Sequence, residues 1–243
     1  MWSFIKNQIE NVGSAISGVA NTHADASENE PQRPQLSPHS AELLYEEATK
    51  LMSASQFSAA ASKLSTAVAS GHPRSHAALS WVLLWGRDGV FIDSRKAFQL
   101  ANRGSQLGCD WSKGVLAYCY MCGFGVAANE EVGFDLASES SSTSYGQFCL
   151  GYAHFYGVGG APKNNTLAMK HFASAQGNAE AQHYVGHMLE KGIGVPSNKA
   201  EALTWYKASA AQGYSAAIIS MQNLLPRKVQ KSALEFHFKQ FNE

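Results

Sequence analysis

A glycine-rich tetrapeptide recurs along this chain at a spacing close to 35 residues. Gly123-Phe124-Gly125-Val126 is echoed by Gly192-Ile193-Gly194-Val195, with a variant, Gly157-Val158-Gly159-Gly160, between them. A looser copy with one extra residue, Gly86-Arg87-Asp88-Gly89-Val90, precedes all three. The second glycines fall at 89, 125, 159 and 194, so the intervals are 36, 34 and 35 residues. A fixed period of this length belongs to stacked supersecondary units and not to one closed core. Each unit then buries its apolar face on its neighbours, and the resulting solenoid mostly offers surface to other molecules.

Composition supports a packed chain and excludes some partners. Of the 243 residues, 45% are hydrophobic, enough to bury a core along most of the length. The 19 basic and 19 acidic residues cancel, leaving no basic stripe to neutralise nucleic-acid phosphates. Cys109, Cys119, Cys122 and Cys149 are too few and too irregular for a secreted disulfide framework, so a reducing, cytoplasmic setting is expected. No apolar run reaches the roughly 18 residues of a membrane-spanning helix. The N-terminus lacks the basic and apolar regions of a secretory signal.

The chain divides by composition. Residues 1–20 are apolar at helical spacing, and 21–39 are polar, with Pro31, Pro34 and Pro38. That stretch cannot bury enough apolar surface to offset its ordering entropy and reads as a disordered linker, with Ser40 the candidate cap of the next helix. A degenerate helical pair is expected over 40–74. Four repeats follow within 75–217, at about 75–110, 111–144, 145–179 and 180–214. Pro226 breaks the pattern, and 215–243 is expected to supply capping helices. There Leu234, Phe236, Phe238 and Phe241 would cover the last repeat, with Lys228, Lys231 and Lys239 on the solvated face.

Each repeat reads as two antiparallel helices. The first carries small and bulky residues four apart: Ser112, Leu116, Ala117 and Tyr120 in the second repeat, Gly146, Leu150, Gly151 and His154 in the third, Ala181, Val185, Gly186 and Leu189 in the fourth. This spacing puts them on one face, where small residues let helices approach. The Gly-x-Gly-Val stretch stops that helix, because glycine tolerates positive φ. Asp93, Asn129 and Asn198 are natural caps of the second helix. The second helices close on Gly108, Gly177 and Gly213, with Ser144 replacing the glycine in the second repeat.

This pattern resembles the Sel-one-like repeat, a relative of the tetratricopeptide repeat. Gln182 to Gly213 carries the likeness best, with Trp205-Tyr206 and Ala210-Ala211-Gln212-Gly213. The other copies depart from it. Gly160 stands for Val, the third repeat's second helix reads two residues short around His171-Phe172, and the second repeat has Leu136-Ala137 for Trp-Tyr. The resemblance implies an all-α, right-handed α/α superhelical solenoid of helix-turn-helix units. It also implies a concave face lined by the first helices. Some cysteine-rich relatives have been assigned hydrolytic activity, but their paired cysteines in each repeat are absent here.

No catalytic constellation emerges, and neither a cofactor nor a small-molecule substrate is expected. His183 and His187 are four apart with Glu190 one turn on, a spacing able to bind zinc, yet Tyr184 stands where a metalloprotease needs its general-base glutamate. Two surface histidines is the simpler reading. Cys119 and Cys122 lie inside a helix, as small buried hydrophobes commonly do. The glycine turns follow helices and not strands, unlike phosphate-cradling loops.

Carried over from the resemblance, the concave face is expected to show Ala77, Trp81, Leu84 and Trp85 in the first repeat and Gly114, Tyr118, Met121 and Cys122 in the second. The third offers Phe148, Tyr152, Phe155 and Tyr156, and the fourth His183, His187, Glu190 and Lys191. An aromatic groove with a polar C-terminal end follows, and Tyr and Trp are favoured anchors for peptides. The same aromatics satisfy a second reading, in which they pack between repeats.

Trp2, Phe4, Ile5, Ile9, Val12, Ile16 and Val19 form an apolar stripe opposite Ser, Asn, Gln and Gly, with only Lys6 and Glu10 charged. Such a helix must bury one face. It docks on protein, lies in a membrane interface, or is a cleaved targeting peptide. The expected function is a non-enzymatic adaptor holding a partner peptide, the alternative a peripheral membrane tether whose solenoid recruits cargo.

Overall fold

The computed structural model describes residues 36–86 and 89–225. The apolar stripe of residues 1–20, linker residues 21–35 and the segment from Leu234 to Phe241 lie outside the described residues. Eleven α-helices and no strand make up the described residues. The first pair is α1 (Pro38–Ser53) and α2 (Phe57–Ala69). Four further pairs follow: α3 (Pro73–Trp85) with α4 (Ser94–Gln106), α5 (Asp110–Cys122) with α6 (Glu130–Glu139), α7 (Ser144–Tyr156) with α8 (Asn165–Ser174), and α9 (Ala179–Lys191) with α10 (Lys199–Ala211). The last helix is α11 (Ser215–Leu224), which packs on α10.

Local chemistry fixes these boundaries. Asp93, Asn129, Asn164 and Asn198 each cap a second helix, their side chains accepting from the backbone N–H of Lys96, Val132, Leu167 and Glu201. From α3 onward each first helix ends on a left-handed glycine; Gly192, at φ +70°, is typical, whereas α1 ends on Ala54. The second glycine of the motif has another task. A Cβ on Gly125 would strike the Ser94 carbonyl, one on Gly159 the Glu130 carbonyl, and one on Gly194 would sit 2.7 Å from the Asn165 carbonyl carbon. Each of these turns therefore lies against the first residue of the preceding repeat's second helix. The visible period is an inter-repeat contact as well as a turn.

Packing within a repeat follows a size rule. Tyr206 and Phe172, both buried, stand eight residues past their caps and lie over Gly186 and Gly151. The equivalent positions in the second repeat are Ala137 and Ala117, and in the first Ala101 and Ser80. A large ring is matched by glycine and a small residue by another small one, which keeps helix separation similar along the stack. In the first repeat Ser80 uses the space to donate its hydroxyl to the Ala97 carbonyl at 2.7 Å.

Several expectations need correction. Ser37, not Ser40, caps α1, because Pro38 at the first helical position has its φ already set for the helix. Ser144 does not close the second repeat's second helix. It opens α7, while α6 ends at Glu139. His171-Phe172 keep the register of Trp205-Tyr206 from the cap, and the shortening of α8 to 10 residues, against 13 in α10, falls after them.

Successive first helices pack against each other, α3 on α5 and α5 on α7, whereas α7 and α9 meet only sparsely. This looser step positions the candidate site.

Candidate functional site

The first-helix residues expected to face a groove form a connected aromatic seam. Trp85 stacks on Tyr118 with ring centroids 6.2 Å apart, and its Nε1 donates to the Tyr145 hydroxyl at 3.3 Å. Tyr118 meets Tyr145 at 5.4 Å and Phe148 at 5.6 Å, both edge-on, and Phe148 lies 6.3 Å from Tyr152. Tyr152 contacts Tyr156 at 4.6 Å, and Phe155 contacts Tyr156 at 5.0 Å. The seam has two layers. Tyr118, Met121 and Phe148 are buried and pack between repeats, as the second reading of the aromatics expected. Trp81, Trp85, Tyr152, Phe155 and His187 are half-buried, and Tyr156 is 43% exposed. Burial therefore removes Tyr118, Met121 and Phe148 from the surface a partner would first meet.

The fourth repeat departs in two residues that sequence reasoning passed over. Tyr184 stands where the other first helices carry Ala78, Val115 and Cys149. It stacks on Phe172 at 4.7 Å and meets Phe155 at 5.5 Å and Phe148 at 6.1 Å, filling the space between α7 and α9. Glu180 is the second residue of α9, where the other first helices carry Arg74, Trp111 and Tyr145. Its Oε1 accepts from the Tyr118 hydroxyl at 3.1 Å. Its Oε2 is sealed from solvent and has no hydrogen-bond partner, although the residue as a whole retains some surface. Burial lifts this carboxyl to about 7, against the opposing pull of the Tyr118 hydrogen bond. Its charge in turn contributes to raising Cys122, Tyr145, Cys149, Tyr152, Tyr184 and Tyr214, each raised mainly by burial. Glu180 thus sits at the electrostatic centre of the seam. Comparing the second residue of each first helix across the repeats would have exposed it, because a lone carboxylate there breaks an otherwise basic or aromatic series.

Of the two histidines, His183 behaves as a structural side chain. His183 lies between Tyr206 and Tyr214, 5.4 Å from each ring, and its Nε2 is 3.2 Å from the Ser220 hydroxyl. Burial lowers its imidazole to about 4, with His187 adding to the fall and Glu190 opposing it. Glu190 accepts from the Tyr206 hydroxyl at 2.9 Å and pairs with Lys191. Among the described residues no group of three or more His, Cys, Asp or Glu is arranged to hold a metal. Burial pushes the Cys119 thiol up to about 12 and the Cys122 and Cys149 thiols well above their ordinary value, so they are neutral packing groups. No described helix is long and apolar enough to cross a membrane.

Stacked helical hairpins with an aromatic seam along their first helices define an α-solenoid interaction module. The Sel1 repeat model matches residues 73–109, 115–142, 144–175 and 179–214, more than half of the chain, and the protein belongs to the Sel1 repeat family. Repeats of this family mediate protein–protein interactions. The chain is 31% identical over 134 residues to chitin synthase regulatory factor 3 of Schizosaccharomyces pombe. That match spans 53% of this chain but only 14% of the regulatory factor. A Sel1 repeat protein from Klebsiella pneumoniae superposes with a TM-score of 0.52 at 21% identity, over 76% of this chain and 92% of the other, a likeness of fold alone. A Sel1 repeat protein from Oxalobacter formigenes aligns at 26% identity with a TM-score of 0.45, covering 68% of this chain and 49% of that one.

Proposed function

We propose that the protein is a non-enzymatic adaptor whose first-helix face holds an extended or helical peptide segment of another protein. One observation carries the reading. Trp85, Tyr152, Phe155 and Tyr156 form a partly open apolar surface resting on a buried layer of Tyr118 and Phe148. Aromatic side chains held rigid in this way supply contact area at low entropic cost. The name of the fission-yeast relative, a regulatory factor of an enzyme, agrees with a role exerted through another protein. The test is affinity capture with mass spectrometry using the full chain and a Trp85→Ala, Tyr152→Ala variant. Specific partners of the parent are expected to disappear from the variant while its helical circular dichroism is unchanged. Partners retained by a folded variant refute the groove.

A second reading rests on the apolar stripe of Trp2, Phe4, Ile5, Ile9, Val12, Ile16 and Val19. In it these residues insert into a membrane interface and the solenoid recruits cargo. Liposome co-sedimentation of the full chain against a chain lacking residues 1–20 tests it. Equal sedimentation of the two removes the tether.

A further inference from the structure

We infer that Glu180 is the anchor for a cationic side chain, a lysine ammonium or an arginine guanidinium, on the peptide held by the first-helix face. The inference rests on the groove proposed above and names the chemistry that the groove selects.

Three features converge on this residue. The first is an unmet demand. Glu180 Oε1 accepts from Tyr118 at 3.1 Å, while Oε2 is sealed from solvent and receives no donor. A buried carboxylate oxygen without a donor is costly, and an incoming N–H donor bearing positive charge removes that cost most completely. The second is the surroundings. No lysine, arginine or protonated histidine pairs with Glu180 among the described residues, and the groups it acts on are the hydroxyls of Tyr145, Tyr152, Tyr184 and Tyr214 and the thiols of Cys122 and Cys149. These neighbours are neutral, so nothing in them offsets the charge of an ionised Glu180, and an incoming cation would. The third is the opening. Tyr184 fills the space between α7 and α9, whose contact is sparse, and Glu180 lies at the N-terminal end of α9 on the same helical stripe as His183 and His187. The anchor therefore sits beside the sparse α7–α9 contact, on a residue that keeps part of its surface open.

The charge state supports the same occupant. Empty, the carboxyl is lifted by burial to about 7, so half of it is protonated near neutrality. A neighbouring cation lowers it and drives off the proton. Binding of a lysine peptide should therefore strengthen as pH rises from about 5.5 to 7.5. The tyrosines and thiols around Glu180 are raised and stay neutral over this range. On the same helix His183 is lowered to about 4, His187 is lowered from 6.5 by burial, and Glu190 is lowered and stays ionised, so above pH 6.5 Glu180 dominates the profile.

The experiment sorts a bead-displayed library of random octapeptides with the fluorescently labelled full chain and with its Glu180→Gln variant. The amide keeps an acceptor for Tyr118, so the variant preserves the fold. Enrichment of lysine and arginine on beads bound by the parent, absent from beads bound by the variant, is the expected result. Selected peptides should lose about tenfold or more in affinity when their cation is replaced by norleucine, in keeping with the cost of stripping a partner from a buried charge. Beads captured without cationic preference overturn the inference and leave the groove standing, and no captured beads at all remove both. Carbon-13 titration of the Glu180 carboxyl in the peptide-free full chain is the second measurement. A midpoint near or below the ordinary carboxylate value means that a basic residue of this same chain already occupies the site, which overturns the partner assignment.

Discussion

Replacing Gly186 by alanine tests whether the ring-over-glycine rule holds the repeats at their spacing. A Cβ at that position would lie 2.7 Å from Tyr206 Cδ1, 2.8 Å from Cε1 and 3.2 Å from the Ala202 carbonyl oxygen. Tyr206 is 1% exposed and cannot swing into solvent, so the helices must separate or the ring must leave its rotamer. Overpacking of this kind costs about 1–3 kcal/mol. Alanine regains roughly 1 kcal/mol of helix propensity over glycine, which leaves a net loss of about 0–2 kcal/mol, centred near 1 kcal/mol. Tyr206→Ala alone removes the ring and its hydroxyl bond to Glu190, for about 4 kcal/mol. Together the two changes recreate the Ala117 and Ala137 combination of the second repeat. The added methyl then enters vacated space, so the double variant should cost about 3 kcal/mol, and the coupling should be about 2 kcal/mol. Hydrogen exchange of the α9 and α10 amides is the suitable assay, because repeat arrays need not unfold in one step. Additive losses within about 0.5 kcal/mol, or a Gly186→Ala chain more stable than the parent by the full propensity gain of about 1 kcal/mol, would refute the rule.

Other outcomes follow from the same geometry. The Glu180 carboxyl is raised from 4.5 to about 7 on folding, so the folded state holds its proton longer than the unfolded one and stability falls as pH rises between those values. Allowing for the residue's partial exposure, the fall should be of order 2 kcal/mol and should vanish in Glu180→Gln; urea melts at pH 5 and pH 8 measure it. Asn198→Ala removes the side chain that accepts from the Glu201 N–H and should cost about 1 kcal/mol, read as faster exchange in the first turn of α10. Cys119 and Cys149, buried with raised thiols, should resist a thiol-specific reagent at pH 8 in the folded chain and react on unfolding; labelling at the native rate of a free thiol contradicts their placement. Gly125→Ala would press a methyl on the Ser94 carbonyl and should lower the melting temperature, whereas Gly89→Ala, with open space around its Cβ, should cost only the strain of its positive φ.

The architecture was legible because it rests on short-range chemistry repeated in register. A glycine that must adopt a left-handed conformation, an Asp or Asn that must cap, and small residues four apart are each decided within a few residues. Gly192, Asn198 and Gly186 therefore stand where the pattern put them. The helix ends set by competing local signals were less legible, as at Ser37 against Ser40 and at Ser144, because a neighbouring proline or threonine tips a choice that composition leaves open. The candidate site was legible only as a stripe. Period alone puts Tyr118 and Tyr152 at the same place in their helices, yet one is buried under the next repeat and the other keeps surface, since burial depends on how far successive helices approach. Glu180 carries no local signature at all, being an ordinary acidic residue in the first turn of a helix. Its one recorded hydrogen-bond donor, Tyr118, lies 62 residues away, and its other oxygen is buried only once the repeats have stacked. Local periodicity fixes which residues share a face. Desolvation, and with it the chemistry of that face, is set by neighbours distant in the chain, and packing alone brings them together.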